Sequence, residues 1–167
     1  MAENWLISSA LGNEMAINLP IYFMNDSGEL STTPQPKAVP VIAVTFAAAD
    51  KDNHYHMPSP EKHQSVMVLI DTGATACYID NNFADELELP VTREIQVQGG
   101  TSTINSTSRR AIMSLTLDGR LFSQEFHATP LVDNGRHFKA ILGMEFLQHC
   151  TFTLDYKNNK FELLFNS

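Results

Sequence analysis

Val66-Met67-Val68-Leu69-Ile70-Asp71-Thr72-Gly73-Ala74-Thr75 is the stretch on which the fold turns. Five apolar residues run into an aspartate with no polar residue between, and a short run of this kind reads as a buried strand. Burying a lone carboxylate after such a run costs several kcal/mol unless it is paired or hydrogen-bonded. Gly73 permits a tight turn and a close approach of backbone, to Asp71 or to a ligand. Thr72 supplies a hydroxyl that can fix the loop. Taken alone, Asp-Thr-Gly also fits a strand-end Asx turn, so the rest of the chain has to decide.

Outward from this strand the signals are mainly β. Val39–Phe46 is a second apolar run, and the polar stretch Asp50–Gln64, broken by Pro58 and Pro60, reads as a long excursion between paired strands. Further strands are expected at Glu94–Val97, Ala111–Leu117 and Leu121–Ala128, the last two joined by Asp118-Gly119, a dipeptide suited to a type I′ hairpin. Thr151–Asp155 and Phe161–Phe165 flank a second hairpin candidate. Helical pattern is confined to a turn or two at Phe83–Leu87 and Met144–His149. Residues 1–38 read as an N-terminal arm, with one strand near Ile21–Met24 and a proline-broken joint at Ser31–Pro36. Residues 39–167 read as an all-β barrel or sandwich with one short helix near the C-terminus.

Composition excludes several partners. The 167 residues suit one domain, and 43% hydrophobic with 18% charged residues is ordinary for a globule. Eleven basic against nineteen acidic residues give a net charge of -8, which argues against nucleic acid or an anionic membrane. No apolar run nears the roughly 18 residues that span a bilayer. The start, Met1-Ala2-Glu3-Asn4-Trp5, is acidic where a signal peptide is basic. Cys77 and Cys150 lie far apart and outside any CxxC pattern, so a reduced, cytoplasmic setting is expected. His54, His56 and His63 form a His-x-His with a third histidine, but without a carboxylate or cysteine in register no metal site is expected.

A second motif lies downstream: Ile141-Leu142-Gly143, then Met144-Glu145-Phe146-Leu147. Together with Asp71-Thr72-Gly73-Ala74, it resembles the paired signatures of the retropepsin family of aspartic proteases. Phe83–Pro90 and Leu154–Lys160 resemble that family's flanking segments, so the match runs from about Val66 to Phe165. Glu94–Ile104, with Gly99 and Gly100 near its middle, resembles the family's flap. Two departures stand out. Thr75 occupies a position where many retroviral members are acidic, and Met144 one where they carry arginine. Their joint absence fits the cellular and retrotransposon branch.

The resemblance implies a closed β-barrel with one short C-terminal helix, one half-site per subunit, and a homodimer. A single-chain enzyme would need two complete loops. The other candidate, Asp26-Ser27-Gly28, lacks an apolar run before it and is followed by Glu29, so it reads as a surface turn. The second carboxylate must then come from a second copy. Two Asp71 side chains would share a proton, since like charges in one site cannot both ionise easily. The ionised oxygen would activate a water and the protonated one would polarise the scissile carbonyl of an extended polypeptide. Asp71 is the implied catalytic residue. Thr72, Gly73, Ala74, Gly99, Gly100, Ile141, Leu142 and Gly143 are the implied loop-support and substrate-binding residues. No metal or cofactor is needed. Terminal strands complete dimers in this family, which makes Phe161–Phe165 the C-terminal contributor and Leu19–Met24 the competitor to a plain linker. The rival reading is a dimer of the same fold that binds peptide or assembles without turnover.

Overall fold

A computed structural model describes residues 6–8, 17–48, 63–115 and 121–165. The chain is mostly β. Four short strands come first: β1 (Leu6–Ser8), β2 (Ile17–Pro20), β3 (Tyr22–Met24) and β4 (Leu30–Ser31). They are followed by β5 (Val39–Ala47), β6 (His63–Ile70), β7 (Tyr78–Asp80) and the helix α1 (Asn81–Glu86). Three long strands, β8 (Val91–Gly99), β9 (Ser102–Ser114) and β10 (Leu121–Thr129), lead to β11 (Ala140–Leu142) and α2 (Met144–Leu147). β12 (Cys150–Asp155) and β13 (Lys160–Phe165) close the order.

The larger sheet runs β4-β3-β5-β6-β11-β7-β10-β9-β8, with β1 added on β10 and a further pairing of β5 with β9. The smaller sheet is β12-β13-β2. β6 lies antiparallel to β5 but parallel to β11, with Ile141 opposite Leu69 and Leu142 opposite Ile70. This accounts for its unbroken apolar run. Val68 and Ile70 point into the main core at 0% and 4% exposure, while Met67 and Leu69 join a second cluster with Met24, Val41, Leu131 and Phe138. A strand covered on both faces has no polar side to show.

The elements expected from sequence are present, with shifts that have physical causes. β9 begins nine residues before the expected Ala111, because Ser102–Arg109 pairs with β8 in a ribbon whose outer residues, 102–105, face water. There are two short helices rather than one. Asp80 caps α1, its Oδ2 accepting the Phe83 N–H at 3.2 Å. The stretch Asp118-Gly119 lies outside the described residues, although the strands it joins do pair antiparallel. His54 and His56 likewise lie outside the described residues.

The largest difference concerns the expected arm. Residues 17–31 are woven into both sheets: β2 pairs with β13, β3 with β5, and β4 with β3. Leu19, Ile21, Phe23 and Met24 are buried at 6%, 3%, 2% and 5% exposure. Four apolar side chains at that depth tie the segment down far more firmly than a linker, since burying each contributes roughly 1.5–3 kcal/mol. β13 is correspondingly central, with β12 on one side and β2 on the other. It has no free edge to offer another chain, which corrects the expectation for Phe161–Phe165. Among the described residues, no helix is long and apolar enough to cross a membrane.

Candidate active site

The loop after β6 is built on backbone. The Asp71 N–H donates to the Leu142 carbonyl at 3.1 Å, so the end of β11 fixes where the aspartate leaves the sheet. One carboxylate oxygen, Oδ1, accepts the Gly73 N–H at 2.8 Å, and the Asp71 carbonyl accepts the Ala74 N–H at 3.2 Å. The turn therefore closes on the carboxylate itself and leaves Asp71 half-buried, with Thr72 and Gly73 exposed. A side chain at Gly73 would start 3.2 Å from Asp71 Oδ1 and crowd it. No partner for the Thr72 hydroxyl is found among the described residues.

The second motif lies under the first. The first amides of α2 donate to the loop: Met144 N–H to the Ala74 carbonyl at 2.8 Å, and Glu145 N–H to the Thr75 carbonyl at 2.9 Å. Gly143 makes this approach possible. A Cβ there would sit 2.1 Å from the Ala76 carbonyl oxygen and 2.7 Å from that of Ala74. Its φ of -93° is open to any residue, so the requirement is purely one of space. Behind it, Phe146 packs with Phe122 and Phe165 at ring-centroid distances of 6.1 and 5.9 Å. That aromatic cluster anchors α2 to the core.

Beside Asp71 opens a groove of about 500 Å³. Its floor is apolar, with Leu69 and Ile141 from the parallel pair and Leu131 and Phe138 from the loop before β11. Asp80, only 1% exposed, holds the start of that loop. Its Oδ1 accepts the Val132 N–H at 2.9 Å while its other oxygen caps α1. The remaining wall comes from Met24, Asn25, Asp26, Lys37 and Val39.

Of the residues singled out from sequence, Asp71, Gly73, Ala74, Leu142 and Gly143 meet in one hydrogen-bonded unit. Ile141 faces the groove rather than lying beneath the loop. Gly99 and Gly100 are elsewhere, at the tip of the β8–β9 hairpin, and no residue of that tip lines the groove. Sequence reasoning missed Asp80 and the whole N-terminal wall. A cap signal was present for the first, an aspartate three residues before Phe83 at a helix start. Nothing local signals the second, because β3 reaches the groove only through its pairing with β5.

Chemical alternatives at this site are few. Burial pushes the Cys77 thiol up to about 12, despite opposing hydrogen bonds from the Gly143 and Phe146 backbone, and burial does the same to Cys150, again to about 12. Both cysteines are free and stay protonated at neutral pH, so neither is an activated nucleophile. Among the described residues, no group of three His, Cys, Asp or Glu side chains could hold a metal ion.

No curated protein matches the chain. Among solved structures, a retropepsin-like aspartic protease from Rickettsia conorii is 14% identical, with 95% of this chain and 97% of that chain covered and a TM-score of 0.48. The family model described as aspartyl protease matches residues 61–146, just over half of the 167 residues, from before β6 through α2. The chain belongs to the aspartyl protease family.

Proposed function

We propose that this protein is a homodimeric aspartic endopeptidase of the retropepsin type, in which Asp71 of each subunit supplies one carboxylate of the catalytic pair. The observation that carries the reading is the unit formed by Asp71, Gly73 and Gly143. One carboxylate is held at the mouth of an apolar groove by a loop that a second motif clamps from below. In a two-fold assembly, the ionised carboxylate takes a proton from water as it attacks the scissile carbonyl. The protonated partner polarises that carbonyl and returns a proton to the leaving amine. The extended substrate lies in the groove with an apolar side chain against Leu69 and Ile141. Thr72, exposed beside Asp71, is left for the partner's loop.

Two further parts belong to this proposal. The pairing of β5 with β9 links the ends of the path β5-β6-β11-β7-β10-β9, which supports a closed barrel. The subunit contact uses the edge of β12. That strand follows α2, whose first amides clamp the catalytic loop, after only two residues. It carries neither proline nor lysine to discourage pairing, whereas the other edge of the small sheet, β2, ends in Pro20. Antiparallel pairing of two β12 strands would be isologous, as a two-fold dimer requires. The β8–β9 hairpin serves as the flap, with Gly99 and Gly100 at its tip.

The test is Asp71→Asn. Asn keeps an oxygen for the Gly73 N–H, so fold and dimer should survive while peptide cleavage falls by about a hundredfold to ten-thousandfold. Cleavage-site mapping by mass spectrometry on a diverse peptide mixture reads the result. An Asp71→Asn protein that cuts at the unmutated rate would end the proposal. Specific activity should also fall on dilution.

A further inference from the structure

The groove beside Asp71 has a wall that the two signature motifs do not provide. Asn25–Gly28 forms a tight turn in which the Asn25 carbonyl accepts the Gly28 N–H at 2.9 Å. The Asn25 Oδ1 accepts the N–H groups of Ser27 and Glu29 at 3.0 and 2.9 Å. Gly28 has φ +80°, and a Cβ there would lie 2.9 Å from Cγ of His137, so the turn rests directly against the loop that forms the opposite wall. Met24, one residue before the turn, is packed with Leu131 and Phe138 of the same loop. The N-terminal segment and the loop before β11 thus meet as one body around the groove.

Both walls carry exposed charges at its rim. Asp26 stands on the turn and Arg136 on the loop, with Lys37 beside the start of β5. None of the three has an ion-pair partner among the described residues. A rim charge without such a partner acts on whatever lies in the groove.

We propose that the Asn25–Gly28 turn is a substrate-selecting wall of the Asp71 groove, and that Asp26 is a specificity-determining residue that favours basic over acidic side chains flanking the bound apolar residue. Arg136 acts in the opposite sense from the facing wall. The proposal rests on the reading of Asp71 as the site of peptide cleavage, but its test reads binding rather than turnover.

The full chain carrying Asp71→Asn is titrated with fluorescein-labelled peptides. Each has a central apolar pair, and a single Lys or Glu is placed in turn at every flanking position. At one or more positions, adding Asp26→Lys should shift the ratio of the Glu-peptide to the Lys-peptide Kd by about threefold or more toward Glu, the scale expected when a partly screened pair is reversed. Arg136→Glu should shift it toward Lys, and both shifts should shrink as salt is raised. Failure of every peptide to bind, or an unchanged ratio at all positions in an Asp26→Lys protein with an unaltered circular dichroism spectrum, would overturn the inference. Cleavage of the same peptides by the protein with Asp71 intact is scored separately, so loss of the protease reading and loss of this one are distinguishable.

Discussion

The Asp71 loop and the tip of the β8–β9 hairpin are both glycine-bearing turns at strand ends, yet they are held in opposite ways. Around Asp71 the backbone is enclosed. Leu142 is fully buried, carbonyls of residues 74 and 76 press on Gly143, and two α2 amides together with the Leu142 carbonyl fix the path of the chain. At the hairpin tip, Gly100 has φ +55° and nothing within 4 Å of where a Cβ would be. The ribbon there, with Gln96, Gln98, Thr103 and Asn105 exposed, is held by the β8–β9 ladder and by a Gln96–Asn105 side-chain hydrogen bond across it. One glycine answers a shortage of space and the other a backbone angle. Under the proposed function, the placed carboxylate needs the first arrangement and a flap that lifts and closes needs the second.

Substitution at these two glycines should break the comparison most sharply. Gly143→Ala drives a methyl group into backbone that cannot rotate away, so about 3 kcal/mol or more of stability should be lost, with cleavage activity. Gly100→Ala meets no atoms and costs only the left-handed backbone, about 1 kcal/mol. Urea unfolding of both variants, monitored by circular dichroism, checks the order. Equal losses would mean that the loop can relax around a side chain and that its enclosure is overstated.

Asp80 sharpens the same contrast from within the enclosed region. Its two oxygens accept from different elements, one from α1 and one from the loop that walls the groove. Asp80→Ala abandons both donors in a site 1% exposed, a loss of about 2–3 kcal/mol. Asp80→Asn keeps one acceptor and turns an amide N–H toward the other donor, so it should recover only part of that. Denaturation midpoints of the two variants give the comparison. An Asn variant as stable as the parent would show that the bond to Val132 contributes nothing.

How legible this was depends on how far apart in the chain the interacting parts lie. Val66–Ile70 and the aspartate after it could be read directly, because a continuous apolar run has few other uses. Ile141-Leu142-Gly143 could be paired with it only through a family pattern, since the steric demand on Gly143 arises from carbonyls some seventy positions away. Residues 105–110 of β9 carried no strand signal, because this polar run lacks the apolar alternation that marks a strand against a core. The N-terminal wall left no trace. Leu19–Met24 shows an apolar strand, but whether it pairs within its own chain or with another is set by partners that no local pattern specifies. Asp26 was set aside for having the wrong neighbours to be a catalytic loop. That judgement said nothing of whether the fold would bring it to the groove beside Asp71.

The smallest expected effect lies at the root of the hairpin, where β8 and β9 join β10. Glu125 on β10 accepts from the Ser108 hydroxyl at 2.5 Å and from Arg93 Nε at 2.9 Å, with an Arg110 nitrogen 3.5 Å away. Partial burial works to raise its carboxyl, but the Ser108 hydroxyl and the two arginines outweigh it and hold Glu125 below the ordinary carboxylate range. A carboxyl lowered on folding stabilises the native state above its unfolded value, and that contribution fades as pH falls through the folded one. Because Arg93 is 61% exposed and Glu125 26%, solvent screening limits the gain to under about 1 kcal/mol. Acid should therefore loosen the hairpin root more than the backbone-to-backbone bonds that join the Asp71 loop to β11 and α2. Amide hydrogen exchange read at pH 7 and again below about 4.5, the ordinary glutamate value, should show protection falling at Arg93–Val97 more than at Asp71 and Ala74. In Glu125→Gln that difference should disappear, because the amide cannot titrate. If exchange in the two regions rose together in both proteins, the hairpin would not be the separately held element that its exposed ribbon suggests.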